Sequence, residues 1–479
     1  MLGLVAIAIV AALVRLRFLD VPLSVDEGGY AAVARFWASG ARLYRDVWAD
    51  RPQGLLLLYR GAFDVLGPHA YAVRALATVW GAGLATVVAL LVARVSSRRT
   101  GLLAGLLVAL LSVGPRIEGF AANGELLAAL PAAAAILLFA IWLDRRHDGL
   151  LLGAGALAAF ALLVKQSGYD GGGAIVVWLA LAAWRGWLPR RVALRAIGLV
   201  AIGAAVPLLL SLAHGAATGF DRYWFSVAGY RLSVESVATG SFSNRMHLLW
   251  SAFASSWPCI VPLIALAPVG VAEALRTRRG ALLIAWGAFS ITGFLLGGLF
   301  HPHYFVGLIA PFSALAALGA QRLARDHGVR LATAATVLLM AVPAVAAWPV
   351  VSASSPSQVS FRTSHDGRIL TDRTVGAWLR ARTRPGETVY AMYAEASLYF
   401  AADRPPAFKY LWFLGEQRIP HALTDLRDVL AGAHAPRYIV VYQAPRTMPG
   451  AVAAGIPAVL RRRYREVARV DGHDVLQLR

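Results

Sequence analysis

The chain has 479 residues, of which 58% are hydrophobic and only 15% charged, with a mean hydropathy of +0.60. Soluble globular proteins carry roughly 25% charged residues, so the composition excludes an ordinary water-soluble protein. The net charge of +20 does not point to a nucleic-acid partner, because many of the arginines stand in short loops between apolar runs, where membrane topology accounts for them. A single cysteine, Cys259, excludes an intrachain disulfide and a cysteine-based zinc site. Lysine is reduced to Lys165 and Lys409 beside abundant arginine, a usage that fits a GC-rich bacterial genome.

The chain opens on the apolar run MLGLVAIAIVAALV, which lacks a basic leader and a cleavage site and reads as a retained first helix. Further apolar runs lie near 71–93, 101–114, 125–143, 149–165, 171–184, 196–213, 254–275, 280–299, 303–320 and 331–350. With the first, they predict about eleven spans, several of which need flanking aromatic residues to reach the ~20 residues of an upright crossing. Alternate loops hold the arginines: RVSSRR (94–99), DRRH (144–147), RGWLPRRVALR (185–195), RTRR (276–279) and RLARDHGVR (322–330). The intervening loops around 115–124, 166–172 and 300–303 contain only Arg116. The positive-inside rule makes the arginine-rich set and the N-terminus cytoplasmic, and places loop 20–70 and everything after residue 351 outside.

Loop 20–70 is too long and too apolar for a simple connector. Its segments 28–39 and 53–66 read as amphipathic helices along the outer interface, where Tyr30, Phe36, Trp37, Tyr44, Trp48 and Tyr59 are at home. A second long, aromatic outer loop spans 214–246. After SASSPSQ (352–358) the composition becomes that of a soluble α/β domain. TDRTVGAWLRARTRPGETVYAMYA reads as helix, Pro-Gly turn and strand, APRYIVVYQAP as a second strand, and REVARVDGHDVLQLR as a terminal hairpin. The expected organisation is a polytopic α-helical membrane domain at 1–351 and an extracytoplasmic α/β domain at 352–479.

Asp26-Glu27, just past the first helix, is the most informative pair. Taken alone it reads as an N-terminal cap for the helix that begins near Gly28, since carboxylates favour helix N-termini. Tyr44-Arg45-Asp46 and Asp50-Arg51-Pro52 follow in the same loop, and Arg74 stands near the entrance of the next helix. This stretch, DEGGYAAVARFWASGARLYRDVWADRPQGLLLLY, resembles the first outer loop of C-type (GT-C) glycosyltransferases. Within them it is most similar to the bacterial branch related to protein O-mannosyltransferases and lipid A aminoarabinose transferases. That branch shows Asp-Glu, a Gly, Tyr-x-Asp and a basic residue before Pro; here these are Asp26-Glu27, Gly40, Tyr44-x-Asp46 and Arg51-Pro52. Relatives often carry Lys-Pro-Pro where this chain has Arg-Pro-Gln. Asn123-Gly124-Glu125 falls where relatives carry a second acidic residue, and HPHYFVGLIAP (301–311) resembles their His-x-x-Tyr stretch.

The resemblance implies a GT-C architecture and inverting transfer of one sugar from a polyprenyl-phosphate donor to an envelope glycan, lipid or protein acceptor. It assigns Asp26 as general base, which suits an acceptor hydroxyl that must lose a proton as it attacks the anomeric carbon. Arg51 and Arg74 are the expected contacts to the leaving lipid phosphate, since a guanidinium can hold it with two parallel bonds. Glu27 orients the base or acceptor, or caps its helix, with capping favoured. Tyr44, Asp46, Asn123, Glu125, His301, His303 and Tyr304 complete the expected substrate site, Glu125 being equally a cap. A metal held by His301, His303 and a carboxylate is weakly indicated by His-x-His alone, so no cofactor is assigned. Lys165-Gln166 reads as a snorkelling anchor at a helix end. The expected location is the bacterial plasma membrane. The competing readings are a transporter or lipid flippase, an O-antigen-ligase-like enzyme with a diphosphate donor, and an assembly scaffold. Against the first, the spans are nearly free of charge and no halves repeat.

Overall fold

The computed structural model describes residues 1–235, 240–364, 367–393 and 396–479. Part of outer loop 214–246 and Ala394, at the end of the first expected strand segment, lie outside the described residues. Each of the eleven apolar runs falls on a helix: Leu2–Leu16, Ala70–Val95, Arg98–Leu111, Gly124–Arg145, Gly149–Val164, Asp170–Trp184, Arg190–Thr218, Phe242–Ala274, Gly280–Leu296, Val306–His327 and Val329–Val351. Among the described residues, six helices are by themselves long and apolar enough to cross a membrane, and four more are apolar helices of 10–17 residues. The membrane helices associate through small residues that let backbones approach, the usual device where lipid removes the hydrophobic driving force. A Cβ at Gly270 would stand 1.7 Å from the carbonyl oxygen of Leu315, and one at Gly319 would stand 2.1 Å from that of Leu266. Helices Phe242–Ala274 and Val306–His327 are therefore locked face to face by glycine.

The loop-charge alternation has a counterpart in space. Arg94 and Arg279, from two different arginine-rich loops, converge on Asp144 of a third, Arg94 at 2.9 Å. Glu125, Lys165 and His303, whose loops are arginine-poor, meet near one another instead.

Loop 20–70 folds as two helices, Val25–Ala38 and Gln53–Leu66. The first opens with a capping box: Ser24 accepts from the Glu27 backbone N–H while the Glu27 carboxylate accepts from the Ser24 backbone N–H. The second long outer loop contributes a π-helix over Phe225–Glu235.

The C-terminal portion carries helix Arg368–Arg382 and a four-stranded sheet. Strand β1 (Val389–Met392) pairs in parallel with β2 (Tyr438–Val441), while β3 (Tyr464–Val470) and β4 (His473–Leu478) form a hairpin whose β4 pairs antiparallel with β2. The sheet order is β1-β2-β4-β3. The hairpin turns at Asp471-Gly472, where both residues have positive φ (49° and 85°), matching the right-handed strand twist. Crossover from β1 to β2 and local pairing of β3 with β4 give the mixed α/β unit expected from the sequence.

This unit docks directly on the outer loop. Arg17 donates to the carbonyl of Ala353 at 2.5 Å, Arg35 pairs with Asp403 at 2.6 Å, and the Trp48 backbone N–H donates to the Lys409 carbonyl at 3.1 Å. Helix Ala396–Ala402 lies so close to helix Val25–Ala38 that a Cβ on Gly28 would stand 2.4 Å from the Ser397 Cβ.

Candidate active site

Asp26 and Glu27 are neighbours in sequence but are held from opposite sides. Glu27 is almost fully buried and turned towards the membrane domain. Its Oε1 takes a bond from the Ala122 N–H at 3.0 Å and pairs with Arg74 at 2.9 Å. Arg74 is as deeply buried and also donates to the Pro22 carbonyl at 2.8 Å. Both residues are thus committed to fixing the start of helix Val25–Ala38 against loop 112–123, and the same loop is gripped by Tyr59, which donates to the Ala122 carbonyl at 2.7 Å. Arg74, an expected contact of the donor phosphate, is engaged here in a buried ion pair, with its Nε left without a hydrogen-bond partner. Glu27 holds the capping box and this ion pair, which agrees with the capping role.

Asp26 remains partly accessible in the first helical turn, where the helix dipole favours its negative charge. Its Oδ1 accepts one bond, from the Trp412 indole N–H at 3.0 Å. Four residues on, Tyr30 links Asp26 to a cluster of cations: the Trp412 ring lies 5.3 Å from the Tyr30 ring, and the Arg51 guanidinium carbon lies 5.7 Å over it.

Arg51 is buried and pairs with Asp50 at 2.5 Å, and Asp50 also pairs with Arg231 at 2.5 Å. Burial pushes the Asp50 carboxyl up, and the two guanidiniums more than reverse this, holding it below the usual carboxylate range. The Arg51 Nε is buried without a hydrogen-bond partner, which leaves one donor of the fork unspent. Tyr44, in a left-handed conformation (φ 69°), donates to the Arg51 carbonyl at 2.9 Å. Tyr44, expected at the substrate, here supports the Arg51 backbone. Asp46, also expected there, has a half-exposed carboxylate that meets Arg42 at 3.3 Å and Arg45 at 3.7 Å.

Beside this cluster lies a cavity of about 430 Å³ whose polar lining includes Glu125, Lys165, Gln166, Arg231, Arg245 and Tyr304. Glu125 is ion-paired with Lys165, its oxygen 3.9 Å from His303 Nε2, and the Lys165 ammonium sits 4.3 Å from the centre of the Tyr304 ring. Gln166 donates to the Asp50 carbonyl at 2.9 Å, tying this wall to the Arg51 loop. Lys165-Gln166 is therefore part of the cavity rather than a surface anchor. Asn123 caps helix Gly124–Arg145 through the Leu126 N–H at 2.9 Å. His301 is exposed and stacks on His303 at 5.5 Å. Among the described residues, no group of three His, Cys, Asp or Glu side chains is placed to hold a metal ion.

Sequence reasoning missed three residues, Arg231, Arg245 and Trp412. Arg231 and Arg245 stand in a long outer loop and at the start of a helix, where arginine is ordinary, and Trp412 lies 386 positions from its partner. A third, acidic group approaches the pair from loop 112–123. Glu118 has a positive φ of 58°, and burial, followed by the charges of Glu27 and Asp26, raises its carboxyl to about 8. A second cavity, about 900 Å³, opens between the outer loop and the C-terminal unit and is lined by Gly28, Arg35, Arg373, Arg380, Ser397 and Asp403 among others.

Residues 50–210 match the family described as dolichyl-phosphate-mannose-protein mannosyltransferase, a stretch that contains Arg51, Glu125 and Lys165 but not Asp26. No curated protein matches the chain in sequence. In structure the chain resembles ArnT from Cupriavidus metallidurans bound to undecaprenyl phosphate, with a TM-score of 0.69 and 15% identity over 99% of this chain and 97% of that one. The apo state of the same ArnT gives a TM-score of 0.64 at 18% identity, over 99% and 96% of the two chains. The archaeal oligosaccharyltransferase AglB from Archaeoglobus fulgidus, in complex with an inhibitory peptide and a dolichol-phosphate, gives 0.57 at 13% identity over 96% of this chain and 72% of that one.

Proposed function

We propose that this chain, whose fold is that of the C-type glycosyltransferases, transfers a single sugar from a polyprenyl-phosphate donor to an acceptor at the outer face of the bacterial plasma membrane. The observation that carries the reading is the arrangement of charge. One accessible carboxylate, Asp26, stands across Tyr30 from Arg51, Arg231 and the cavity lined by Lys165. A lipid phosphate leaving an anomeric carbon gains charge, and fixed guanidinium and ammonium groups favour that charge more than they favour the bound donor.

In this reading the donor phosphate enters the 430 Å³ cavity and competes with Asp50 for Arg51 and Arg231, while Lys165 and Tyr304 face it from the other wall. Asp26 accepts the proton of the acceptor hydroxyl as the oxygen attacks opposite the leaving phosphate, which inverts the anomeric configuration. The acceptor is a glycan, a lipid or a protein of the envelope. A hydroxyl approaching from the 900 Å³ cavity reaches Gly28, two residues past the base.

Purified protein incubated with a panel of polyprenyl-phosphate sugars is expected to release lipid phosphate when an envelope acceptor is supplied. No release with any member would remove the transfer reading. Within the same assay, Arg51→Ala is expected to weaken donor binding at least several-fold, as charge-assisted bonds contribute roughly 1.5–3 kcal/mol each. Arg51→Lys should recover part of the loss, keeping the charge without the planar fork. Equal donor affinity in all three proteins would take Arg51 out of the phosphate site and leave Arg231 and Lys165.

The alternation of arginine-rich loops supports a cytoplasmic N-terminus and a C-terminal unit outside. A reporter active only in the cytoplasm should be silent when fused after residue 351 and active when fused at 145 or 278. Activity at 351 would reverse the orientation and move the site to the other face.

A further inference from the structure

The C-terminal unit reaches Asp26 through one side chain, and the surrounding geometry is built around that reach. Trp412 caps the N-terminal end of helix Phe413–Arg418, and its indole lies against the backbone of helix Val25–Ala38. A Cβ on Gly29 would stand 2.4 Å from the Trp412 ring, and a Cβ on Gly28 would stand 2.4 Å from the Ser397 Cβ. The two glycines that follow Asp26-Glu27 are therefore the residues that let a remote unit lie flush on the first turn of this helix. From there the indole N–H meets Asp26 Oδ1 at 3.0 Å, while the ring packs on Tyr30 at 5.3 Å. The docking is fixed on both flanks, by the pair Arg35–Asp403 at 2.6 Å and by the Trp48 backbone N–H on the Lys409 carbonyl at 3.1 Å.

We propose that Trp412 is the positioning residue of the base: its indole N–H holds Oδ1 so that Oδ2 is presented to the acceptor hydroxyl, and the C-terminal unit thereby completes the active site. The inference rests on the transfer reading above. An aspartate side chain has two soft torsions, and a carboxylate with one oxygen anchored loses much of its freedom before the acceptor arrives. Indole suits the task because it donates one hydrogen bond and accepts none, so it cannot take the proton that Asp26 must collect. Tyrosine or histidine at this position would offer a competing acceptor.

The test compares wild type, Trp412→Phe and Trp412 replaced by benzothienylalanine, which keeps the bicyclic shape and lacks the N–H. Lipid-phosphate release is followed at varied donor concentration, and the indole N–H resonance of Trp412 is recorded in wild type and in Asp26→Asn. Removing the N–H should lower kcat about tenfold or more, the loss of one charge-assisted hydrogen bond, with the donor KM unchanged within about twofold. A purely structural role would instead raise KM or lower the yield of folded protein. The benzothienyl variant decides the matter if Trp412→Phe does not fold. The Trp412 resonance should move in Asp26→Asn. Wild-type kcat in the benzothienyl variant would overturn the positioning role. If wild type itself turns over no polyprenyl-phosphate sugar, the transfer reading fails and the positioning role falls with it. The resonance, which needs no substrate, then separates a structural Trp412–Asp26 contact from none.

Discussion

Asp26→Asn is expected to reduce transfer by ~10²–10⁴-fold, the usual cost of removing a general base, while donor binding and the folded yield stay near wild type. The amide keeps the size of the side chain and its Oδ1, so the Trp412 N–H retains an acceptor and the packing around Gly28 and Gly29 is undisturbed. What disappears is the ability to take a proton. The distinction between catalysis and scaffolding is sharp at this position, because the neighbouring Glu27 supplies the capping box and the buried ion pair. The measurement is single-turnover release of lipid phosphate, with donor affinity determined separately. Turnover within a few-fold of wild type would reduce Asp26 to an N-terminal carboxylate favoured by the helix dipole.

Arg74→Ala is expected to be the most destabilising single change near the site. It leaves the Glu27 carboxylate buried at 1% exposure with its cation gone, and breaking such a pair from one side costs roughly 3–5 kcal/mol. The remaining bonds to Glu27, from Ser24 and the Ala122 N–H, satisfy part of the carboxylate but not its charge. The double variant Glu27→Gln, Arg74→Met should recover much of the loss, since replacing a buried pair with groups of similar volume is often neutral. Thermal melting of the detergent-solubilised protein measures this. Activity should fall along with stability, because Glu27 and Arg74 anchor the helix that carries Asp26, and displacement of a base by an ångström suffices to slow transfer. Undiminished melting of Arg74→Ala together with weakened donor binding would return Arg74 to the phosphate site.

The membrane architecture was legible in the sequence because its cause is local. A span is a run of apolar residues long enough to cross hydrocarbon, so it is written within twenty or thirty positions. The eleven helices, the two helices of loop 20–70 and the strands at 389–392, 438–441 and 464–478 fall where periodicity and turn residues put them. Asp26-Glu27 and Arg51-Pro52 were legible for a related reason, since their spacing in one loop resembles that of a known family. Yet the roles within the pair were not. Both carboxylates sit in the same first helical turn, and only the packing of loop 112–123 against one and of the C-terminal unit against the other decides that Glu27 is buried beside Arg74 while Asp26 stays accessible beside Trp412.

Sequence by itself determined which residues are apolar enough to enter the bilayer, which loops carry charge, and that strands follow the last apolar helix. Only the tertiary structure decided which charges are spent. Arg74 looks as available in the sequence as Arg51 does, but it finds Glu27 from a distant segment, whereas Arg51 pairs with its neighbour Asp50. Lys165, which looks like an anchor, ends beside Glu125 and Tyr304 in the wall of a cavity. The physical reason is that the availability of a charge depends on the partner that neutralises it. For Arg74 and Lys165 that partner arrives by packing between segments 47 and 40 positions apart, a separation over which local composition carries no information.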